Sequence, residues 1–177
     1  MIAKGVPATS ILAMTFTNKA AGEMKERIAR LVPGAAADGL TVGTFHSFCA
    51  RALRQYSDEA GVRKNFGICD ADDQLVAIKQ AMRHLQIPEQ KIQPKVCLAR
   101  VSLLKNRLIA AQKLIGSSDD WEDIIGRVYA QYDRGLRVSG VLDFDDLLLY
   151  VVKMLKDPKT LERFRRRFQY LLVDEYQ

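Results

Sequence analysis

Two neighbouring carboxylates near the end of the sequence are the residues best suited to phosphate chemistry. Asp174 and Glu175 directly follow the apolar run of residues 170–173, which has the composition of a buried strand. Open α/β sheets bind ligands at the carboxyl ends of such strands, where an Asp can support Mg²⁺ and a Glu can polarise an attacking water. Any strand can also end in acidic residues as it reaches solvent, so this pattern alone leaves both interpretations open.

Two similar polar and aromatic segments follow two earlier apolar runs. Residues 15–18 read TFTN and residues 44–47 read TFHS, each at a predicted junction between a strand and a helix. Such a junction presents backbone N–H groups to phosphate, and a ring such as Phe16 can stack on a base. Together the segments suggest a track for single-stranded nucleic acid. For either segment alone a local role is the better interpretation, with Thr and Asn as helix caps, Phe16 and Phe45 as core residues, and His46 as a turn residue.

The elements that would position these residues alternate between strands and helices. Apolar runs at residues 11–16 and 40–45 predict strands of a parallel sheet, and a helical pattern follows each of them. Asn18 is the predicted cap of the first helix, which ends at the Pro-Gly pair of residues 33–34, and the second helix ends near Gly61. This alternation is typical of an α/β fold.

The middle of the chain has a different pattern. Residues 65–140 contain no convincing strand and three helical stretches, around 73–85, 95–114 and 121–132, which together indicate a helical insertion. Asp143 is then the predicted N-cap of a further helix, with Pro158 just past its end. The arginines of residues 163–167 predict a solvated helix face, because acidic neighbours balance their charge.

Composition limits the classes of protein to which the chain can belong. Its 177 residues are 48% hydrophobic, enough for one core and a small second lobe, and its net charge of +6 favours polyanionic partners without proving one. The cysteines, Cys49, Cys69 and Cys97, are spaced too irregularly for a disulfide framework or a zinc site. No apolar run reaches the roughly 18 residues of a membrane span, and the first residues do not resemble a signal peptide. A cytoplasmic protein without a membrane partner is expected.

Four ordered motifs give the chain a family resemblance that covers almost its whole length. They are residues 15–21 with Glu23, Met24, Arg27 and Ile28, then residues 43–47, 143–148 and 173–177. In this order the motifs resemble the superfamily 1 helicases of the UvrD, PcrA and Rep type. The resemblance implies a partial RecA-like (P-loop NTPase) parallel sheet with a mostly helical inserted subdomain. Residues 1–60 would begin the RecA-like domain, 61–140 would form the insertion, and 141–177 would return to the domain and end at the Walker B strand.

The same resemblance implies an activity and a role for each candidate residue. It implies an ATP-dependent DNA helicase that moves 3′ to 5′ on single strands, in repair or replication, with ATP and Mg²⁺ as cofactors. The substrate would be single-stranded DNA or DNA with a 3′ single-stranded tail. Asp174 would be the Mg²⁺-associated carboxylate and Glu175 the catalytic base. The implied DNA contacts are Thr15, Phe16, Asn18, Thr44, Phe45 and His46.

Some parts of the family pattern are not found in this sequence. There is no glycine-rich phosphate loop ending in Gly-Lys-Thr or Gly-Lys-Ser, and no second RecA-like domain with its arginines. Without this loop the chain lacks the backbone N–H groups and the lysine that bind the β- and γ-phosphates of ATP. We therefore expect a fragment that by itself neither hydrolyses ATP nor unwinds DNA, and whose last strand makes it prone to low stability or aggregation.

Two other functions stay open on the sequence alone. The chain can be a stand-alone nucleic-acid-binding or regulatory module that has the DNA track without the motor, in which case single-stranded DNA would bind with a clear salt dependence. It can also be an α/β domain with no nucleic-acid role, in which case Phe16→Ala and His46→Ala would leave oligonucleotide binding unchanged.

Overall fold

The computed structural model describes residues 1–32 and 37–174, and its contacts divide the chain into two compact units. The first unit contains residues 1–60 and 151–177, and the second contains residues 61–150. The second boundary lies within a helix, ten residues after the one expected at residue 140. The assignment of these units to a motor domain and an insertion stays a prediction.

A three-stranded parallel sheet forms the centre of the first unit. Its strands are β1 (Ile11–Thr15), β2 (Thr41–Thr44) and β5 (Tyr170–Val173), in the spatial order β2-β1-β5. All five residues of β1 are buried, as a run of apolar residues in a parallel sheet predicts. The mixed α/β class with parallel strands is therefore confirmed, within one residue of the expected bounds for β1 and β2.

Strand β5 differs from the expectation in its environment. It pairs in parallel with β1, with Ile11 opposite Tyr170 and Met14 opposite Val173, so the predicted strand is confirmed. The expected burial is wrong, because Leu171 is 59% and Leu172 is 47% exposed. Among the described residues β1 is its only strand neighbour, and β5 therefore forms an exposed edge of the sheet.

Two capped helices follow the first two strands. Helix α1 (Asn18–Leu31) begins after Thr17, whose hydroxyl accepts a hydrogen bond from the Ala20 N–H at 3.1 Å. The predicted cap, Asn18, was thus wrong by one residue, since Asn18 already lies in the helix. Helix α2 (Phe45–Gln55) is capped by Thr44, and the short helix α3 (Ser57–Ala60) completes the stretch before Gly61. The predicted stop at residues 33–34 lies outside the described residues.

The last helix of the first unit packs through aromatic rings. Helix α8 (Pro158–Arg167) is capped by Asp157, and Phe164 lies against the rings of Phe48 and Tyr56 at centroid distances of 6.3 and 5.1 Å. Pro158 lies past the preceding helix, as predicted, and also begins this one, because a proline is tolerated at the first helical position. The arginines of its last turn are exposed.

Three long helices make up most of the second unit. They are α4 (Ala71–His84), α5 (Pro94–Asn106) and α6 (Asp120–Ser139), and they enclose one hydrophobic core that includes Ile78, Met82, Cys97, Val101, Ile125 and Val128. The helical character predicted for this part of the sequence is found in the bundle, and its role as an insertion stays a prediction. None of the described helices is long and apolar enough to cross a membrane.

A short strand pair in the second unit was not expected from the sequence. Strand β3 (Gly67–Ile68) pairs in parallel with β4 (Val141–Leu142). The prediction that residues 65–140 contain no strand is therefore wrong at residues 67–68. A two-residue strand is too short to show the alternation of apolar and polar residues by which strands are predicted. The pair leads into helix α7 (Phe144–Met154).

Helix α7 begins with a reciprocal cap. Asp143 Oδ1 accepts a hydrogen bond from the Asp146 N–H at 2.8 Å, and the Asp143 N–H donates to Asp146 Oδ2 at 3.3 Å. The predicted N-cap at Asp143 is confirmed. This arrangement satisfies two backbone donors that the first turn of a helix otherwise leaves open.

Candidate functional site

The candidate nucleic-acid contacts lie at the carboxyl edge of the sheet in the first unit. Thr15 is the last residue of β1 and Thr44 the last residue of β2, and the two are paired directly across the strands. Both threonines are buried. The two segments that the sequence placed after separate strands are therefore adjacent in space, and the helices that follow them begin side by side.

Phe16 and Phe45 form an aromatic pair just past this edge. Their ring centroids lie 5.2 Å apart with an angle of 45° between the planes. Phe16 is 63% exposed, so the alternative that it is a core residue is wrong, while Phe45 is half-buried. The pair supports the Phe16 ring from one side and leaves much of it open to solvent, which is the arrangement that base stacking requires.

The polar residues of the two segments differ in what they can contact. The Thr44 hydroxyl accepts a hydrogen bond from the Ser47 N–H at 3.2 Å, so its role as a helix cap holds. Asn18 and His46 lie in the first turns of α1 and α2 and are exposed. The N-terminus of a helix favours anions, and these two side chains are at the positions where a phosphate would meet it.

The acidic end of the chain lies next to the same edge. Val173 pairs with Met14 in the last rung between β5 and β1, and the Asp174 N–H donates to the Met14 carbonyl at 3.0 Å. Asp174 is exposed. Glu175, the predicted catalytic base, lies outside the described residues. Asp174 therefore directly follows strand β5, which lies beside the strand that leads into Phe16.

The fit of the described residues to the expected cofactors is partial. Asp174 offers one exposed carboxylate, which suits Mg²⁺, an ion that is commonly held by one or two carboxylates together with water and substrate phosphates. The described residues contain no group of three or more side chains that would hold a metal ion by themselves. They also include no glycine-rich loop to cradle the phosphates of ATP.

A buried charged cluster in the second unit was missed by the sequence analysis. Lys105 is 1% exposed, and its Nζ lies 2.7 Å from Asp143 Oδ2, 2.8 Å from Asp146 Oδ1 and 3.2 Å from Asp133 Oδ1. The Tyr132 hydroxyl donates to Asp143 Oδ2 at 2.8 Å. These five residues are called the Lys105 cluster below. The signal was present in the sequence, since Lys105 lies four residues after Val101 on the apolar face of α5.

The electrostatics of the Lys105 cluster indicate a structural role. Burial by itself would lower the pKa of Lys105, but Asp146, Asp143 and Asp133 outweigh it and raise the pKa above its ordinary value. Burial raises the pKa of Asp146 to about 6, against the opposing effect of Lys105. Burial, with Asp143, also raises the pKa of Tyr132. The cluster binds α5 and α6 to the start of α7 and has no exposed reactive group.

The sequence of the chain matches a known protein family. The profile of the UvrD/REP helicase N-terminal domain matches residues 1–177. The chain belongs to this family. The resemblance seen in the ordered motifs is thereby confirmed, and the mixed α/β fold is consistent with a UvrD/REP helicase N-terminal domain.

Curated relatives of this UvrD/REP family chain are DNA helicases. It is 40% identical over 179 residues to the ATP-dependent DNA helicase PcrA of Bacillus subtilis, a match that covers 100% of this chain and 24% of the relative. PcrA of Staphylococcus aureus is 40% identical, with 98% and 24% covered. ATP-dependent DNA helicase UvrD1 of Mycobacterium leprae is 41% identical, with 99% and 23% covered. The chain spans about a quarter of the length of these relatives.

Proposed function

We propose that residues 1–177 are part of the motor region of an ATP-dependent DNA helicase and that the carboxyl edge of β1 and β2 contacts single-stranded DNA. The observation that supports this best is the exposed Phe16 residue, whose ring centroid lies 5.2 Å from that of Phe45 and which follows the strand paired with β5, the strand before Asp174. The names of the relatives, which are ATP-dependent DNA helicases, supply the class of activity.

Each candidate residue has a distinct part in this proposal. Phe16 stacks on a base with Phe45 behind it, because aromatic stacking is tolerant of base sequence. Asn18 and His46 meet the phosphates at the starts of α1 and α2. Thr15 and Thr44 are buried and paired across the strands. Their role is to align the two segments at the edge of the sheet, and they do not contact DNA through an exposed hydroxyl.

The proposed binding site for ATP and Mg²⁺ lies at the edge of the sheet near Asp174. Asp174 is proposed as the Mg²⁺-associated carboxylate, and Glu175 as the base that polarises the attacking water. The polypeptide of residues 1–177 is expected to be inactive as an ATPase when assayed by itself, since no Gly-Lys-Thr or Gly-Lys-Ser loop is among its residues. Phosphate release above that of a Glu175→Gln variant would contradict this expectation.

The finer properties of the activity are also proposals. Movement 3′ to 5′, a preference for a 3′ single-stranded tail, a role in DNA repair or replication and a cytoplasmic location follow from the family resemblance and composition. A longer polypeptide that includes the phosphate loop would test the direction of movement with tailed duplexes of either polarity.

Oligonucleotide binding by the 177-residue chain tests the central proposal. Fluorescence anisotropy with a labelled oligodeoxythymidine should show saturable binding that weakens as salt increases. Phe16→Ala should reduce the affinity about 5- to 150-fold, which is the equivalent of about 1–3 kcal/mol for one stacked base. His46→Ala should also reduce it, through the loss of a phosphate contact.

Leu31→Ala is a matched control, because Leu31 is another exposed apolar residue of the first unit and lies at the far end of α1. It should bind as the wild type does. Equal affinities for the wild type, Phe16→Ala and His46→Ala would remove the nucleic-acid proposal and favour an α/β domain without this role.

A further inference from the structure

A groove of about 520 Å³ lies between α1 and α2 in the first unit. The positions that line it are 18, 21, 22 and 25 on α1, and 47, 50, 51 and 54 on α2. Spacings of three and four residues place side chains on one face of a helix. Each helix therefore presents one continuous face to the groove, and the end of β2 closes it between them. It is called the α1–α2 groove below.

Small residues keep the middle of the α1–α2 groove open. Ala21 and Ala50 are buried beneath it. Gly22 also lines it, and a Cβ atom added there would meet no atom within 4 Å. The facing helices thus leave space for a ligand at the places where larger side chains would fill it.

The outer part of the α1–α2 groove is strongly basic. Lys25 from α1 and Arg51 and Arg54 from α2 line it, and all three are exposed. No acidic side chain is among the described residues that line it. The nearby acid Glu26 is directed to Arg30, with 3.7 Å between Oε2 and Nη2. A concave surface with charge of one sign concentrates its field, so this groove attracts anions.

Arg51 is held close to the carboxyl end of β2. A Cβ atom on Gly43 would lie 2.7 Å from Ser47 Oγ and 3.5 Å from Arg51 Nη2. The Arg51 guanidinium group therefore lies within van der Waals distance of the position that a side chain at residue 43 would occupy. This brings a cation to the edge of the sheet, beside Thr44.

The α1–α2 groove is continuous with the candidate nucleic-acid contacts. Asn18 and Thr44 belong both to those contacts and to its lining. We propose that the α1–α2 groove binds the sugar-phosphate backbone of the single strand that stacks on Phe16, with phosphates at Lys25, Arg51 and Arg54. This inference rests on the proposed function and extends it to three residues outside the four family motifs. The contacts are to phosphate alone, so they do not depend on base identity.

Charge-removing variants of the 177-residue chain test the α1–α2 groove. Lys25→Gln, Arg51→Gln and Arg54→Gln should each weaken binding of a labelled oligodeoxythymidine about three- to tenfold at low salt, and equally for oligodeoxyadenosine. Each should also reduce the slope of log affinity against log salt by about 0.7, the value for one single-strand phosphate contact. Arg51→Lys, which retains the charge, should recover part of the loss.

Arg165→Gln is the control, because Arg165 is an exposed arginine on α8 in the same unit and does not line the groove. If the three variants bind and respond to salt as Arg165→Gln does while Phe16→Ala still weakens binding, the groove proposal is overturned and the proposed function stands. If the wild type binds no oligonucleotide, both are overturned. Circular dichroism melts should match for all variants, since the substituted residues are exposed.

Phosphate groups of a free nucleotide or of inorganic phosphate could bind the same basic residues of the α1–α2 groove. ATP and inorganic phosphate, compared at equal ionic strength, should displace the oligonucleotide no better than chloride does. Displacement by ATP that is lost in Arg51→Gln would instead assign the α1–α2 groove to a free nucleotide and overturn the backbone proposal.

Discussion

Lys105 and Asp143 form a buried ion pair, with 2.7 Å between Nζ and Oδ2, that joins α5 to the residue just before α7. Asp146 and Asp133 are the other carboxylates around the same ammonium group. One cation therefore compensates three acids in a largely buried setting. Because uncompensated buried charge is costly, the helices of the second unit depend on this one lysine.

Lys105→Met should destabilise the protein strongly. The methionine would fill a similar volume but leave the carboxylates without their partner, at a cost of about 3–5 kcal/mol in the free energy of unfolding. Urea unfolding followed by circular dichroism measures this directly. Lys113→Met is the control, because Lys113 is exposed, and it should change the free energy by less than about 0.5 kcal/mol. Equal midpoints for the two variants would contradict a stabilising role for the Lys105 cluster.

The raised pKa of Asp146 predicts a dependence of stability on pH. Its pKa is about 6 in the folded chain, because burial disfavours the charged form, against 3.8 as the ordinary value. Between these values the folded state holds a proton that the unfolded state has released, so this group's contribution to stability is fully present below about pH 4 and is lost as pH rises through 6. The free energy of unfolding should fall by up to about 3 kcal/mol over this range relative to Asp146→Asn.

Urea titrations of both proteins at intervals from pH 4 to pH 7.5 measure this difference, and the comparison cancels the titration of groups that do not interact with Asp146. A difference that is constant, or that grows with pH, would show that Asp146 has no raised pKa in the folded chain.

Two glycines of α6 should respond in opposite ways to the same substitution. A Cβ on Gly126 would lie 2.8 Å from Leu114 Cβ and 2.9 Å from the Ile115 backbone N, whereas one on Gly135 would meet nothing within 4 Å. Gly126→Ala should destabilise the protein by about 1–3 kcal/mol through overpacking. Gly135→Ala should stabilise it by about 0.5–1 kcal/mol, since alanine favours the helix. Thermal melts of the pair check this, and shifts of the same sign would contradict the close packing at Gly126.

The exposed edge strand β5 should promote self-association. Within residues 1–32 and 37–174, one edge of β5 has no strand partner, and Leu171 and Leu172 are exposed on the same strand, a combination that pairs readily with another chain. Leu171→Lys should raise the monomer fraction in sedimentation velocity, because a charged side chain on an edge opposes strand addition. Leu31→Lys, which changes an exposed residue on a helix, should have no such effect. A wild type that is monomeric across the concentration range would overturn this prediction.

The elements that depend on local pattern were predictable from the sequence. The apolar run of β1 and the cap at Asp143 are set by nearby residues, and both are found in the structure. The cap of α1 was assigned one residue late because Thr17 and Asn18 both suit that position, and only the hydrogen bond to the Ala20 N–H distinguishes them.

Features that depend on distant partners were only partly predictable. The position of Lys105 on the apolar face of α5 indicates burial, but the sequence does not show that its partner is Asp143, 38 positions later. The α1–α2 groove is likewise formed by two helices. The hydrophobic periodicity of each helix does not show which of its positions face the other. The aromatic residues of the candidate site were predicted from the sequence. Their pairing was not, because it follows from the register of β1 against β2, which places Thr15 opposite Thr44.

The position of β1 between β2 and β5 has a mechanical consequence. The backbone ladder of β1 connects on one side to the strand before Phe45 and on the other to the strand before Asp174. A displacement of Asp174 along its strand would therefore be transmitted through peptide hydrogen bonds, without passing through any flexible side chain. The Mg²⁺ site proposed at Asp174 and the DNA contact proposed at Phe16 would then be coupled through the backbone of one three-stranded sheet.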